Sequence, residues 1–221
     1  VRVPWRLAVP VALAVAGAAF AFAFLPGRPA VPSPAPRSPS PSASASASAS
    51  AAAWRTVAEI DTAPVTAAEF SARMAEHRAA VARHFHATYG ADVNAPGFWT
   101  RRHGAEVPGE VLRRRTLETL TRVKVQQLMA REAGLPSDLD YPAFLARMAA
   151  ENQDRGRRLS RGEPLYGPQQ YTERTYFAHS FGRMVLALRG VLGEDRYPSL
   201  VEARVARAKV TLREEASSVT G

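Results

Sequence analysis

From Thr66 onward the apolar positions recur at helical spacing. Phe70, Met74, Val81, Phe85 and Tyr89 form one stripe, and Gly90 ends it. Thr66 opens this helix as the N-cap of a capping box, with Glu69 three residues on, and Val65 and Phe70 are placed as a hydrophobic staple. A loop through Pro96-Gly97-Phe98-Trp99 leads to Pro108, a favoured first-turn residue. The second helix carries Leu112, Leu117, Leu120, Val123 and Leu128 until Gly134 and Pro136 stop it. A third helix starts near Tyr141 on Phe144, Leu145 and Met148, then turns polar and basic from Glu151 to Arg161. After a loop from Gly162 to Pro168, a fourth runs from about Gln170 to Leu192. It is apolar around much of its girth: Tyr171, Ala178, Gly182, Val185 and Leu192 on one face, Phe177, Phe181, Leu188 and Val191 on another. That pattern predicts a central position. Pro198 opens the last helix, through Leu200, Val201, Val205 and Ala208.

Two stretches rich in β-formers frame these helices. One is Trp54–Ile60, with Asp61-Thr62-Ala63-Pro64 behind it as a turn; the other is Val210–Leu212. The expected fold is mainly α, about five helices with a short strand at each end, the two strands pairing with each other.

The amino end has a different pattern. Leu7 to Leu25 is an uncharged apolar run preceded by Arg2 and Arg6. As a helix it matches the thickness of a bilayer, and the flanking arginines orient the rest of the chain outward. Two outcomes stay open. Ala21-Phe22-Ala23 has the small-x-small form of a signal-peptidase site, which would release the protein. The length of the run, which continues past that site, favours an uncleaved anchor. Pro26 to Ala53 is made almost wholly of Pro, Ser and Ala, with too little apolar surface to fold, and reads as a disordered linker. The organisation is thus an anchor over residues 1–25, a linker over 26–53 and a folded domain over 54–221, placed extracytoplasmically.

Composition narrows the chemistry. The chain has no cysteine, which excludes disulfides, thiol catalysis, thiolate metal sites and a lipoprotein anchor. Its net charge is +9, with 29 basic and 20 acidic residues. The clusters Arg101-Arg102, Arg113–Arg115 and Arg155–Arg161 are interspersed with acids, so they read as solvated helix faces with at most a weak attraction to an anionic envelope surface; nucleic acid is not expected of an exported domain. His84 and His86 lie on different sides of their helix, and His77 and His84 share a face without a third ligand. Glu151, the one carboxylate weighed as an acid or base, has only Asp154 nearby, which reads as surface charge. There is no nucleophile elbow, P-loop or dinucleotide fingerprint. No enzyme, metal or cofactor is expected.

Several motifs resemble the amino-terminal chaperone domain of the SurA family, shared with the PrsA foldases and related to the peptide-binding domain of trigger factor. They are VAEID and VTAAEF between Val57 and Phe70, Tyr89-Gly90 with Gly97-Phe98-Trp99, and the long stretch Leu117–Leu135 with Lys124, Ala130 and Gly134. Phe144–Asn152 and Tyr166–Phe177 complete the set. Where the family has Asn-Gly after the first strand, this chain has Asp61-Thr62. The resemblance implies a chaperone for unfolded, newly exported polypeptides. It also implies one without isomerase activity, because the parvulin unit often found in the family would follow the last strand and the sequence ends nine residues after Leu212.

A binder of unfolded chain needs a deformable apolar groove with polar rims, supplied by Met, aromatic and Arg side chains. The expected groove residues are Phe98, Trp99, Phe144, Met148, Tyr166, Tyr171 and Tyr176, with the loop residues Trp99 and Tyr166 foremost. The alternative is an envelope accessory or scaffold protein that presents the same groove to one partner.

Overall fold

A computed structural model of the chain describes residues 51–213. The apolar run Leu7–Leu25 and nearly all of the linker lie outside the described residues, and among those described no helix is long and apolar enough to cross a membrane. Residues 51–54 are helical, so the last three linker positions and Trp54 precede the first strand as a helical turn.

Strand β1 (Thr56–Ile60) turns back through Asp61-Thr62 into β2 (Ala63–Thr66), which leads directly into helix α1 (Ala67–Tyr89). Helices α2 (Pro108–Glu132), α3 (Tyr141–Ser160), α4 (Glu173–Leu192) and α5 (Tyr197–Val205) follow, and strand β3 (Val210–Leu212) closes the order. The protein is mainly helical with a small antiparallel sheet ordered β2-β1-β3. The pairing of the two end strands is present, with Ala58, Glu59 and Ile60 opposite Leu212, Thr211 and Val210.

Strand β2 departs from the sequence reading, which took Ala63-Pro64 as part of a turn. The turn is shorter: Ile60 pairs with Ala63, leaving Asp61 and Thr62 as its two central residues. Asp61 adopts a positive φ of 52°, the left-handed conformation that Asp tolerates better than most residues. Pro64 fits a strand here because β2 is an edge, so its missing N–H interrupts no ladder. Asp61 also holds β3: its N–H donates to Lys209 O at 2.8 Å, and its Oδ1 accepts from Lys209 N at 2.9 Å.

The N-cap of α1 is formed as expected, Thr66 Oγ1 accepting from Glu69 N at 3.1 Å, and the staple residues Val65 and Phe70 are both buried in one cluster. The Glu69 carboxylate does not fold back onto the cap. It lies 2.9 Å from Lys124 Nζ in the middle of α2. Lys124 is completely buried and also donates to Leu139 O at 2.9 Å. Burial pushes the Glu69 carboxyl above the usual range, and Lys124 and Arg73 pull it back only in part.

The central element is α2, not the fourth helix. About 37 Å long, α2 packs its first half with α1 and the sheet around Phe85, Leu112 and Leu120. Its last turns join Met184, Leu188, Tyr197 and Val201 in a second cluster. Thr116, Thr121, Lys124, Gln126 and Gln127 are buried on it, and this polar content masked its position in the sequence. The fourth helix begins at Glu173, capped by Thr172, and buries only Met184 and Leu188 fully; Leu186 is 66% exposed. Its apolar girth reflects one buried face and one exposed face.

Removing Lys124 while leaving Glu69 strands a buried carboxylate, so Lys124→Met is expected to cost about 3–5 kcal/mol. In that variant the carboxyl loses its cation and its pKa climbs further. The folded chain then keeps a proton that the unfolded chain releases, so stability falls as pH rises between the two values. Urea unfolding should show a larger deficit near pH 8 than near pH 5, and the double replacement Glu69→Leu, Lys124→Met should recover most of it.

Candidate functional site

Two segments cross beside α2 and set the site. The first, between α2 and α3, is held by buried side chains: Lys124 on Leu139 O, and Gln127 Nε2 on Asp138 O at 2.9 Å. Asp140 then caps α3, its Oδ1 accepting from Ala143 N at 2.7 Å. The second segment, between α3 and α4, is pinned to α3 by two residues on the inner face of that helix. Asn152 makes a two-pronged contact with the Tyr171 backbone, accepting from its N–H at 2.7 Å and donating to its carbonyl at 2.8 Å. Arg155 donates through both Nη atoms to Tyr166 O, at 3.1 and 3.0 Å, and lies over the Tyr171 ring at 4.7 Å. Its Nε is 3.0 Å from Glu151 Oε1.

Between these segments, α3 and α4 leave an open groove of about 1070 Å³. Its apolar lining includes Leu135, Pro136, Tyr166, Pro168, Tyr171, Tyr176, Phe177, Phe181 and Met184; its polar lining includes Asp138, Arg147, Glu151, Arg155, His179 and Arg183. Tyr166 is 89% exposed at the rim, on a loop whose backbone is fixed by Arg155. Tyr171 is buried against its own loop, edge-on to Tyr176 at 5.5 Å and stacked with His179 at 5.6 Å. Burial, and then the charge of Asp138, raise the Tyr176 phenol, so it stays a neutral donor at physiological pH. Arg147 pairs with Asp138 across the rim.

The seven residues singled out in the sequence fall in three places. Tyr166, Tyr171 and Tyr176 converge on the groove. Phe144 lies beneath them, fully buried and 5.4 Å from Tyr176, and Met148 is half-buried on α3 without lining the groove. Phe98 and Trp99 sit elsewhere. Phe98 is buried edge-on to Phe85, and Trp99 packs on the same cluster with Arg78 over its ring at 4.5 Å. Trp99 and Tyr166 therefore do not form one surface.

The sequence reading missed Asn152, Arg155 and His179. Asn152 and Arg155 fell within a stretch read as a solvated basic face, yet they continue the inner stripe of Phe144 and Met148 at spacings of four, four and three. That spacing was the available signal. The histidines it did weigh have other partners: His77 Nε2 is 2.9 Å from Thr119 Oγ1, His84 Nε2 is 3.5 Å from Glu106, and His86 Nδ1 accompanies Ala91 O at 3.2 Å. Among the described residues no group of three His, Asp or Glu is placed to hold a metal ion.

Asn152→Ala removes both bonds to Tyr171 and leaves a part-buried carbonyl and N–H unpaired. It should cost about 1–3 kcal/mol and speed protease cleavage between Gly162 and Thr172, while Met148→Leu should do neither; timed digestion with peptide mapping measures this. No family model matches the chain, and neither does any curated protein or solved structure.

Proposed function

We propose that the protein is an extracytoplasmic chaperone of the SurA type, tethered to the membrane through Leu7–Leu25, which holds unfolded, newly exported polypeptides in the groove between α3 and α4. The observation that carries this reading is the groove itself: an open apolar trough of about 1070 Å³ with aromatic walls and a rigidly backed, almost fully exposed Tyr166 at its rim. Unfolded segments present apolar and aromatic side chains together with free backbone groups. Tyr rings contribute large contact area with a polar tip, and the tolerance of such a surface suits many sequences. Arg147 pairs with Asp138, and the buried Arg155 lies beside Glu151 and donates to Tyr166 O, so the charged lining forms a polar edge around the apolar floor. Nothing in this arrangement aims a nucleophile or base at a bound chain; it suits binding.

The reading rests also on the motifs that resemble the SurA family, Val57–Phe70 and Leu117–Leu135 among them. The alternative, a scaffold for one envelope partner, uses the same groove and differs in breadth. Breadth is measurable. The full chain, kept soluble in mild detergent, is mixed with two unrelated proteins diluted from denaturant, and aggregation is followed by light scattering. A chaperone suppresses both at near-stoichiometric ratios. Tyr166→Ala with Tyr176→Ala should lower suppression several-fold with little change in unfolding midpoint, whereas Trp99→Ala should leave suppression intact. Suppression of neither client removes the general-chaperone reading and leaves the single-partner scaffold.

A further inference from the structure

The sheet has an unused edge. Among the described residues strand β3 pairs only with β1, and the register fixes which of its backbone groups are committed. Asp61 N donates to Lys209 O and Arg213 N donates to Val57 O, so positions 209, 211 and 213 face β1. By the alternation of an antiparallel ladder, the N–H and C=O groups of Val210 and Leu212 point away from it. Among the described residues nothing pairs with them.

The side chains are equally unfinished. Val210 and Leu212 lie opposite Ile60 and Ala58, both fully buried, and so belong to the core-facing side of the sheet. Yet they are 41% and 51% exposed, and among the described residues no strand continues that apolar surface. Beside them runs a second groove, of about 830 Å³, along α2; Leu117, Val123, Phe181, Val205 and Val210 contribute to it. Flat apolar edges of this kind are normally covered, charged or twisted away.

We propose that the outer edge of β3 accepts an extended acidic segment of a client polypeptide as a fourth strand. This deepens the chaperone reading and rests on it, adding a backbone-recognising site apart from the α3–α4 groove. Charge selects the occupant. Lys209, exposed and without a carboxylate partner among the described residues, lies on the outer face of the strand, and Arg207 just before it is likewise exposed and unpaired among them. In the adjoining groove Arg114 and Arg122 are already paired with Glu106 and Glu202, so the uncompensated charge at this edge is that of Lys209 and Arg207. One register of pairing with a second copy of this chain is disfavoured by the same charges. Antiparallel self-pairing centred on Thr211 would set Lys209 opposite the other copy's Arg213, a like-charge pair. An entering strand with apolar residues at alternate positions would extend the Val210 and Leu212 face into the groove, and its acidic residues would meet Lys209 on the other side.

The test uses the full chain in mild detergent and a short fluorescent peptide of alternating Val and Glu, with a Val–Lys peptide of equal length. The Val–Glu peptide should bind at least about tenfold more tightly. Leu212→Pro deletes an outward N–H without touching the ladder to β1, and should weaken binding about fivefold, the worth of one hydrogen bond. A circular-dichroism melt verifies that the variant is folded. Independently of any variant, N-methylating the peptide at one alternate set of amides should abolish binding while the other set is tolerated. Absence of Val–Glu binding overturns the proposal, as does binding insensitive both to Leu212→Pro and to methylation in either register. A wild-type dimer that Leu212→Pro dissociates also overturns it, in favour of a second copy. If any of these occurs while the chain still suppresses client aggregation, the chaperone reading stands and only the β3 site fails.

Discussion

A buried ion pair holds this small helical protein in register. Glu69 in the first turn of α1 and Lys124 in the middle of α2 meet at 2.9 Å with almost no access to solvent. Two buried charges are costly to desolvate, and an ion pair of this kind adds less to net stability than its geometry suggests. Its consequence is positional: each charge makes every arrangement that separates them expensive. It fixes the height of α1 along α2, and through a second donor of Lys124, on Leu139 O, it fixes where the chain approaches α3. Among the described residues Glu69 Oε2 has no hydrogen-bond partner, so Lys124 is the carboxylate's direct contact, with Arg73 acting on it through charge, and the pair is sensitive to the loss of Lys124.

From that point the groove follows. Gln127, one turn along from Lys124, holds Asp138 O; Asp138 pairs with Arg147; and Asp140 caps α3. The placement of α3 then allows Asn152 and Arg155 to catch the next loop, which brings Tyr166 and Tyr171 to the mouth of the groove. A chain of polar contacts therefore runs from the interior of α2 to the rim, and the apolar walls are filled in around it. The rim aromatics can yield to different side chains while the loop backbone keeps its place.

Helix starts and stops were legible in the sequence because capping chemistry is local. Thr66, Gly90, Pro108, Gly134 and Pro198 stand at or next to element ends whose geometry depends on a few neighbouring residues. The pairing of β1 with β3 was legible from two β-rich stretches with no other partners. Strand β2 was not, since Pro64 signals a turn wherever its edge position is unknown. The rank of the helices was also misread. Apolar girth put α4 at the centre, whereas α2 is central with Thr, Gln and Lys side chains buried on it. Periodicity weighs side-chain type, and these polar groups are buried only because partners from distant segments satisfy them. For the same reason three of the seven aromatic and Met positions converge on the groove, while Phe98 and Trp99 belong to another cluster.

In the proposed function the groove between α3 and α4 is where unfolded chain is held. Hydrogen exchange read by mass spectrometry tests it most directly, with the full chain compared alone and with an excess of a reduced, carboxymethylated polypeptide that cannot fold. Slower exchange is expected in the segment from Gly162 to Thr172 and in the first half of α4, with the loop around Trp99 unchanged. Unchanged exchange in those segments, or protection confined to the Trp99 loop, would contradict it.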